Sequence, residues 1–259
     1  MKLDLTRFEF SLSRTFDSTW DAVVRVPYMI KDQTASVLFP NPMTLAEREA
    51  ALRNNFIHHR TDTYEGFADA ELSVGWRKKD VFGEGSIIRL SLGVTLPFGD
   101  IEADPWALGD AGMKHTHIQM GNGTFDPIID LYAGIPLSDK WGFGLYGKLR
   151  LPLYENSEGY RGSIEGSLIP RITYLPTKKL ILSAGLSANW YGYSYWNGDR
   201  DEDSGQFTLN ATLSAGMKLT DTITASAGVL LPLYTESWST SGDAYDPAPV
   251  LTFSLARQF

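Results

Sequence analysis

The chain contains no cysteine, which excludes a disulfide framework, a thiolate nucleophile and a thiolate metal site. No apolar run approaches the ~18 residues of a helical membrane span. Histidine is scarce, four in 259 residues, and falls as His58-His59 and His115-Thr116-His117. Basic residues number 23 against 31 acidic ones, a net charge of −8, which argues against nucleic acid as a partner. The opening MKLDLTRFEF lacks the apolar core and small-residue cleavage site of a secretory leader.

What remains is rich in aromatic residues (12%) and glycine (24 residues). The mean hydropathy of −0.17 conceals a strict alternation. In the last ten residues Leu251, Phe253, Leu255 and Phe259 alternate with Thr252, Ser254, Ala256 and Gln258, the period of a strand. Arg257 interrupts the apolar face near its end, where a long side chain can snorkel. Phe207, Leu209, Ala211, Leu213 and Ala215 oppose Thr208, Asn210, Thr212 and Ser214, and Leu180 to Trp190 repeats the pattern. Eleven strands are predicted, near 5–15, 20–30, 67–78, 86–97, 124–137, 141–153, 162–175, 180–193, 206–219, 222–234 and 249–259.

Their connections alternate in length. Counting back from the C-terminus, 235–248 is long, 220–221 short, 194–205 long, 175–179 short, 154–161 medium, 138–140 short, 98–123 long, 79–85 fairly short, 31–66 longest and 16–19 short. Long loops on one side and tight turns on the other mark an outer-membrane barrel, with the turns periplasmic. A soluble β-sandwich would give similar strands but has no reason to keep the alternation. The expected fold is all-β, an antiparallel up-and-down transmembrane β-barrel forming one domain over 1–259, with extracellular loops 31–66, 98–123, 194–205 and 235–248. Single-chain bacterial barrels carry even strand numbers. A twelfth strand is therefore expected, either before Leu3 or from within 31–66. Export would require a leader outside this sequence. The terminal Phe259 resembles the signal that barrel-assembly machinery reads.

Several segments carry a family resemblance: Leu90-Ser91-Leu92-Gly93-Val94-Thr95-Leu96-Pro97-Phe98-Gly99-Asp100, Met120-Gly121-Asn122-Gly123-Thr124-Phe125-Asp126-Pro127, Leu137-Ser138-Asp139-Lys140-Trp141 and Gly228-Val229-Leu230-Leu231-Pro232-Leu233-Tyr234. From Gly66 to Phe259 the chain resembles the outer-membrane barrel family named for the meta-cleavage pathway of phenol degradation. The resemblance implies a transporter or channel associated with aromatic or hydrophobic compounds, and no catalytic residues.

Alternation directs many charges inward. The candidate lumen and selectivity residues are Arg25, Glu71, Arg89, Asp126, Asp130, Tyr132, Tyr146, Lys148, Arg150, Glu165 and Arg171, with Arg7, Arg77, Lys218, Glu9 and Asp69 also inward. They form either a selectivity ladder along a pore or a packed ion-pair network filling a narrow barrel. Arg25, Arg89 and Arg150 are expected to cluster in the outer half, facing Glu71, Asp126, Asp130 and Glu165. Tyr132 and Tyr146 offer stacking faces. Pro27, Pro97, Pro152 and Pro232 are expected to end strands at the rim. Trp20, Trp76 and Trp141 are expected at the periplasmic interface, and Trp190, Tyr193 and Tyr234 at the outer one.

Thr44-Leu45-Ala46-Glu47 reads as a capping box opening a short helix, a lid or a rim ornament with Leu45, Leu52 and Phe56 on its apolar side. The acidic stretch 100–110 and Asp199, Asp201, Glu202 and Asp203 read as solvated surface or as sites for divalent cations beside lipopolysaccharide. The histidines read as solvated loop residues. An outer-membrane hydrolase would need a Ser–His pair, and no local signature joins one. No enzyme activity, catalytic residue, metal or cofactor is therefore expected. The expected partners are outer-membrane lipid, lipopolysaccharide, the assembly machinery and a small-molecule solute. Three functions follow: a passive channel or facilitator for small, aromatic or hydrophobic molecules, a structural barrel with a plugged lumen, and a membrane-embedded hydrolase.

Overall fold

A computed structural model describes residues 2–37, 39, 42–57, 60–116, 119–240 and 247–259. In chain order its elements are β1 (Lys2–Thr15), β2 (Trp20–Thr34), α1 (Leu45–Ile57), β3 (Asp62–Phe67), β4 (Ala70–Lys79), β5 (Ile87–Leu96), α2 (Pro105–Asp110), β6 (Pro127–Pro136), β7 (Trp141–Arg150), β8 (Tyr160–Arg161), β9 (Glu165–Tyr174), β10 (Leu180–Tyr191), β11 (Tyr195–Trp196), β12 (Asp199–Arg200), β13 (Gln206–Lys218), β14 (Ile223–Ser237) and β15 (Val250–Arg257). Eleven long strands pair antiparallel in sequence order, β1-β2-β4-β5-β6-β7-β9-β10-β13-β14-β15, with β3 added beside β2. The sheet curls into a half-barrel. The two-residue strands β8, β11 and β12 form a separate small sheet.

An odd number of antiparallel strands leaves β1 and β15 running in the same direction. They share no ladder among the described residues, and every residue of both is exposed. The sheet counts twelve strands with β3, which arises within 31–66 as one of the two expected sources, but β3 pairs with β2 and does not bridge the edges β1 and β15.

Side-chain alternation divides the sheet into two faces. On β4 the outward Leu72, Val74 and Trp76 are exposed while Ser73 and Gly75 are buried; on β5 Leu90 and Leu92 are exposed while Ser91 and Thr95 are buried. A soluble fold reverses this, and so large an exposed apolar surface suits lipid, not water. The aromatic residues agree. Trp20 pairs with Trp76 at one end. Trp141 stacks on Tyr174, ring centroids 4.6 Å apart, and Tyr174 faces Leu182 on β10. Trp190 lies eight positions further along β10, close to the ~9–11 residues of a tilted membrane-spanning strand.

One device closes four of the short turns. A side-chain oxygen accepts two backbone N–H groups, an Asx or ST turn. Asp17 accepts from Thr19 and Trp20 at 2.6 and 2.8 Å. Ser138 accepts from Lys140 and Trp141, Thr177 from Lys179 and Leu180, and Thr220 from Thr222 and Ile223. The donors hold the Asp17 carboxyl below its ordinary range, the backbone bond from Thr19 contributing most. That contribution is present above the ordinary carboxylate pKa of about 3.9 and is lost as pH falls through the depressed value.

Two irregularities depart from simple alternation. Val26 and Pro27 of β2 face three residues, Ala68, Asp69 and Ala70, between the pairs Tyr28–Phe67 and Arg25–Glu71. Pro27 has no N–H to give, so the ladder breaks there, and its carbonyl accepts from Ala68 N at 2.9 Å. Pro27 is thus a buried bulge partner inside a strand that continues to Thr34, not a rim terminator. The long connection after β2 shortens at both ends, because β3 starts at Asp62. The second bulge leaves Leu233 unpaired, with Tyr234 opposite Leu209 and Pro232 opposite Asn210. Pro232 is consequently interior to β14, which runs to Ser237, three residues into the 235–248 loop. The bulge turns Tyr234 outward, 6.3 Å from Phe207, where uninterrupted alternation would point it inward.

The face assignment carries a prediction. Leu213 faces outward and Ser214 inward on β13. Leu213→Arg is expected to destabilise the folded protein in lipid vesicles by about 2–4 kcal/mol, and Ser214→Arg by much less, in denaturant titrations. Equal losses at the two positions would contradict the assignment.

Candidate functional site

The inner face carries its charges in three groups, ordered from the turn end of the sheet to the loop end. At the turn end Asp21 lies between two guanidiniums, Arg77 at 2.8 Å and Arg89 at 2.5 Å. In the middle Glu71 is shared by Arg25 at 3.1 Å and Lys148 at 2.5 Å. Lys148 reaches it from β7 across the inward Ser91 and Gly93 of β5, which present little bulk. Arg25 also lies 3.9 Å from Glu9 and 4.0 Å from Asp130, and Arg7 binds Glu9 at 2.7 Å. Tyr146 donates its hydroxyl to Asp130 at 2.8 Å. Asp130 Oδ2 and Ser91 Oγ, opposite one another across the β5–β6 ladder, have no hydrogen-bond partner among the described residues.

At the loop end one guanidinium serves three carboxylates. Arg150 lies 2.7 Å from Asp126, 3.5 Å from Asp69 and 3.6 Å from Glu165. Asp126 is fully buried and also accepts from Asn122 and Thr124 at 3.0 and 2.6 Å. Asp69 accepts the backbone N–H groups of Gly99 and Asn122. These donors belong to or border residues 98–116 and 119–123, which fold against the loop end. Gly99 and Gly121 permit that approach: a Cβ on Gly121 would fall 2.2 Å from Asp69 Oδ1, and one on Gly99 would fall 2.7 Å from Gly121 Cα. The same segment is held by Lys31, which donates to the Gln119 carbonyl, by Arg60, which donates to the His115 carbonyl at 2.7 Å, and by the bond from Asn197 to Asp104 at 2.7 Å. It therefore ties β2 and β4 to the connections that follow β7 and β10.

The other half of the inner face is neutral. β10, β13, β14 and β15 present residues such as Ser183, Asn189, Thr212, Ser214, Ser226 and Ser254, and Lys218 at the turn end is their one inward charge. The ion pairs run laterally within the charged wall, so none crosses towards the hydroxyl wall.

No protein-family model matches the chain, and no curated protein matches it. Its fold does have a solved counterpart. An outer membrane channel from Pseudomonas putida F1 superposes with a TM-score of 0.60 at 15% identity, covering 97% of this chain and 80% of that one. The chain has an outer-membrane β-barrel fold. At this identity the likeness establishes architecture, and the inner face must be read from its own residues.

Arg25, Glu71, Asp130, Tyr146 and Lys148 come together as alternation suggests, and so do Asp126, Arg150 and Glu165. Arg89 does not join them. It sits at the start of β5, at the turn end, because β5 runs from turn to loop and Pro97 lies beyond its far end. Its partner Asp21 was not among the candidates, although it shares the inward parity of Arg25. Tyr132 and Arg171 form a pair of their own, the guanidinium 5.7 Å from the ring centroid.

Several loop expectations also change. His115 is buried, not solvated, and its Nδ1 lies 3.0 Å from the Met113 carbonyl; His58, His59 and His117 lie outside the described residues. The capping box of α1 forms, with Thr44 N donating to Glu47 at 2.7 Å and Glu47 N to Thr44 Oγ1 at 3.3 Å. Its apolar side, Leu45, Leu52 and Phe56, is exposed; His115 N and Arg60 hold its C-terminal end through the Ile57 carbonyl, and Arg48 near its start lies 4.8 Å from the Phe39 ring centroid. Residues 194–205 contain β11 and β12, and Asp201 accepts from Ser194 at 3.2 Å.

Removing Asp126 leaves Arg150 its other two carboxylates but strips the buried donors of Asn122 and Thr124 of their acceptor. Asp126→Ala is expected to destabilise the protein by about 2–4 kcal/mol, whereas Asp4→Ala, which breaks the exposed pair with Lys2, should cost at most about 1 kcal/mol. Urea titrations in detergent micelles compare the two.

Proposed function

We propose that the protein is a passive channel or facilitator of the outer membrane for small solutes, aromatic and hydrophobic molecules among them. One observation carries the reading. Apart from Arg171, the charges of the first wall are satisfied within it, and the opposite wall bears mainly short hydroxyl, amide and glycine residues, so pairing does not close the lumen. The aromatic class of solute rests on the resemblance to the phenol meta-cleavage family. The channel described for the Pseudomonas putida protein supports the transport class. In this reading the outward face meets lipid and lipopolysaccharide, and Phe259 serves the assembly machinery.

A second reading has its own observation. Residues 98–116 and 119–123, pinned by Lys31, Arg60 and Asn197, would plug the loop end and leave a structural or partner-binding barrel.

Single-channel recording in planar bilayers separates them. The wild type is expected to show discrete conductance steps in potassium chloride. Arg89→Ala, which removes one of two cations on Asp21, is expected to shift ion preference towards cations, and Arg150→Ala to alter permeation at the loop end. A wild type silent in every solute, with neither variant changing permeation, would replace the channel by the plugged barrel.

A further inference from the structure

Arg171 stands apart from the other inward-facing arginines. Arg7, Arg25, Arg77, Arg89 and Arg150 each have a carboxylate within 4.0 Å. Arg171 has none among the described residues, yet it is exposed on the inner face. Its surroundings are built to lay it flat. Its register neighbours are Gly144 on β7 and Gly185 on β10. A Cβ at Gly144 would come 3.1 Å from Arg171 Nε, and one at Gly185 would come 2.9 Å from Arg171 Cβ. The next residue in the row, Gly134 on β6, faces Gly144, and a Cβ there would lie 2.9 Å from the Tyr132 hydroxyl. The glycines clear a floor over which the guanidinium reaches the Tyr132 ring.

That arrangement has a chemical complement. A guanidinium resting on an aromatic ring keeps its in-plane N–H groups free, and their fork matches the two oxygens of a carboxylate. The turn-end charges reinforce the sign, since Arg77 and Arg89 share the single carboxylate of Asp21. Tyr132, with Ile169 in the next row of β7 and β9, adds apolar surface beside the cation. The site lies on β6, β7, β9 and β10, inside the sheet, so it is complete however the edges at β1 and β15 are closed.

We propose that Arg171, laid against Tyr132 on this glycine floor, binds a small organic carboxylate passing through the lumen. The assignment deepens the channel reading above and rests on it for the ligand's route.

The test is calorimetric titration of the full chain in detergent micelles with sodium benzoate, sodium acetate and sodium chloride, beside conductance in potassium chloride. Benzoate is expected to bind more tightly than acetate, and chloride to give no comparable signal. Arg171→Ala should weaken benzoate binding at least about tenfold, a difference of about 1.4 kcal/mol. Arg171→Lys, keeping the charge without the fork, should fall between. Tyr132→Ala should narrow the preference for benzoate over acetate, and Lys218→Ala should leave binding unchanged. Circular dichroism confirms that each variant keeps its strand signal; if Arg171→Ala does not fold, Arg171→Lys carries the comparison. Benzoate binding equal to wild type in the folded Arg171 variants overturns the proposal. So does a wild type that conducts potassium chloride but binds no benzoate, an outcome that leaves the channel reading intact. Arg171-dependent benzoate binding in a protein silent to potassium chloride upholds the site and removes the channel.

Discussion

The carboxylate of Glu71, held between Arg25 and Lys148, is the contact on which the interior depends. Charges facing a narrow lumen must be paired or hydrated, because leaving one desolvated costs several kcal/mol. They can be paired across the lumen, which closes it, or along the wall, which does not. Glu71 allows the second solution because its two cations come from β2 on one side and from β7 on the other. The small residues Ser91 and Gly93 on β5, the nearer to Glu71 of the two intervening strands, let Lys148 lie down across the sheet. Asp21 repeats the scheme at the turn end, and Arg150 inverts it at the loop end, with one cation among three carboxylates.

This lateral pairing makes the two halves of the inner face unlike. The strands from β1 to β9 bear nearly all the ion pairs, and β10, β13, β14 and β15 bear mainly hydroxyls, amides and glycines, with Tyr191 and Leu230 among them and Lys218 at the turn end. A solute would meet a polarised wall on one side and a neutral hydrogen-bonding wall on the other. In the proposed channel, control of entry would fall to residues 98–116 and 119–123, tied to β2, β4 and two further connections. Conduction would then turn on loop contacts such as Asn197–Asp104 and Arg60–His115, not on the strands alone.

Much of the architecture was legible in the sequence, because a strand's period of 2 is fixed by backbone geometry and survives in any sheet with two different faces. That period placed Leu213 outward and Ser214, Lys148 and Arg171 inward. The bulges at Pro27 and Leu233 were not legible from alternation, since each is a property of two strands in register. The Leu233 bulge reversed Tyr234, and the Pro27 bulge joined β3 to β4 inside a stretch that composition made look like loop. Partner choice was harder still. Arg89 pairs with Asp21 and not with Glu71 because strand direction, not distance from a proline, sets its height. The turn oxygens of Asp17, Ser138, Thr177 and Thr220 were visible as residue types, and their shared role emerges only when the bonds are seen together.

The absence of cysteine makes the central claim, a watery lumen lined on one side by hydroxyl residues, directly measurable. Single cysteines placed by Ser214→Cys and Leu213→Cys differ by one residue and by face. In lipid vesicles, a charged water-soluble thiol reagent is predicted to modify the first rapidly and the second slowly or not at all. Equal reactivity at the two positions, or protection of Ser214→Cys in a correctly folded protein, would contradict an accessible lumen.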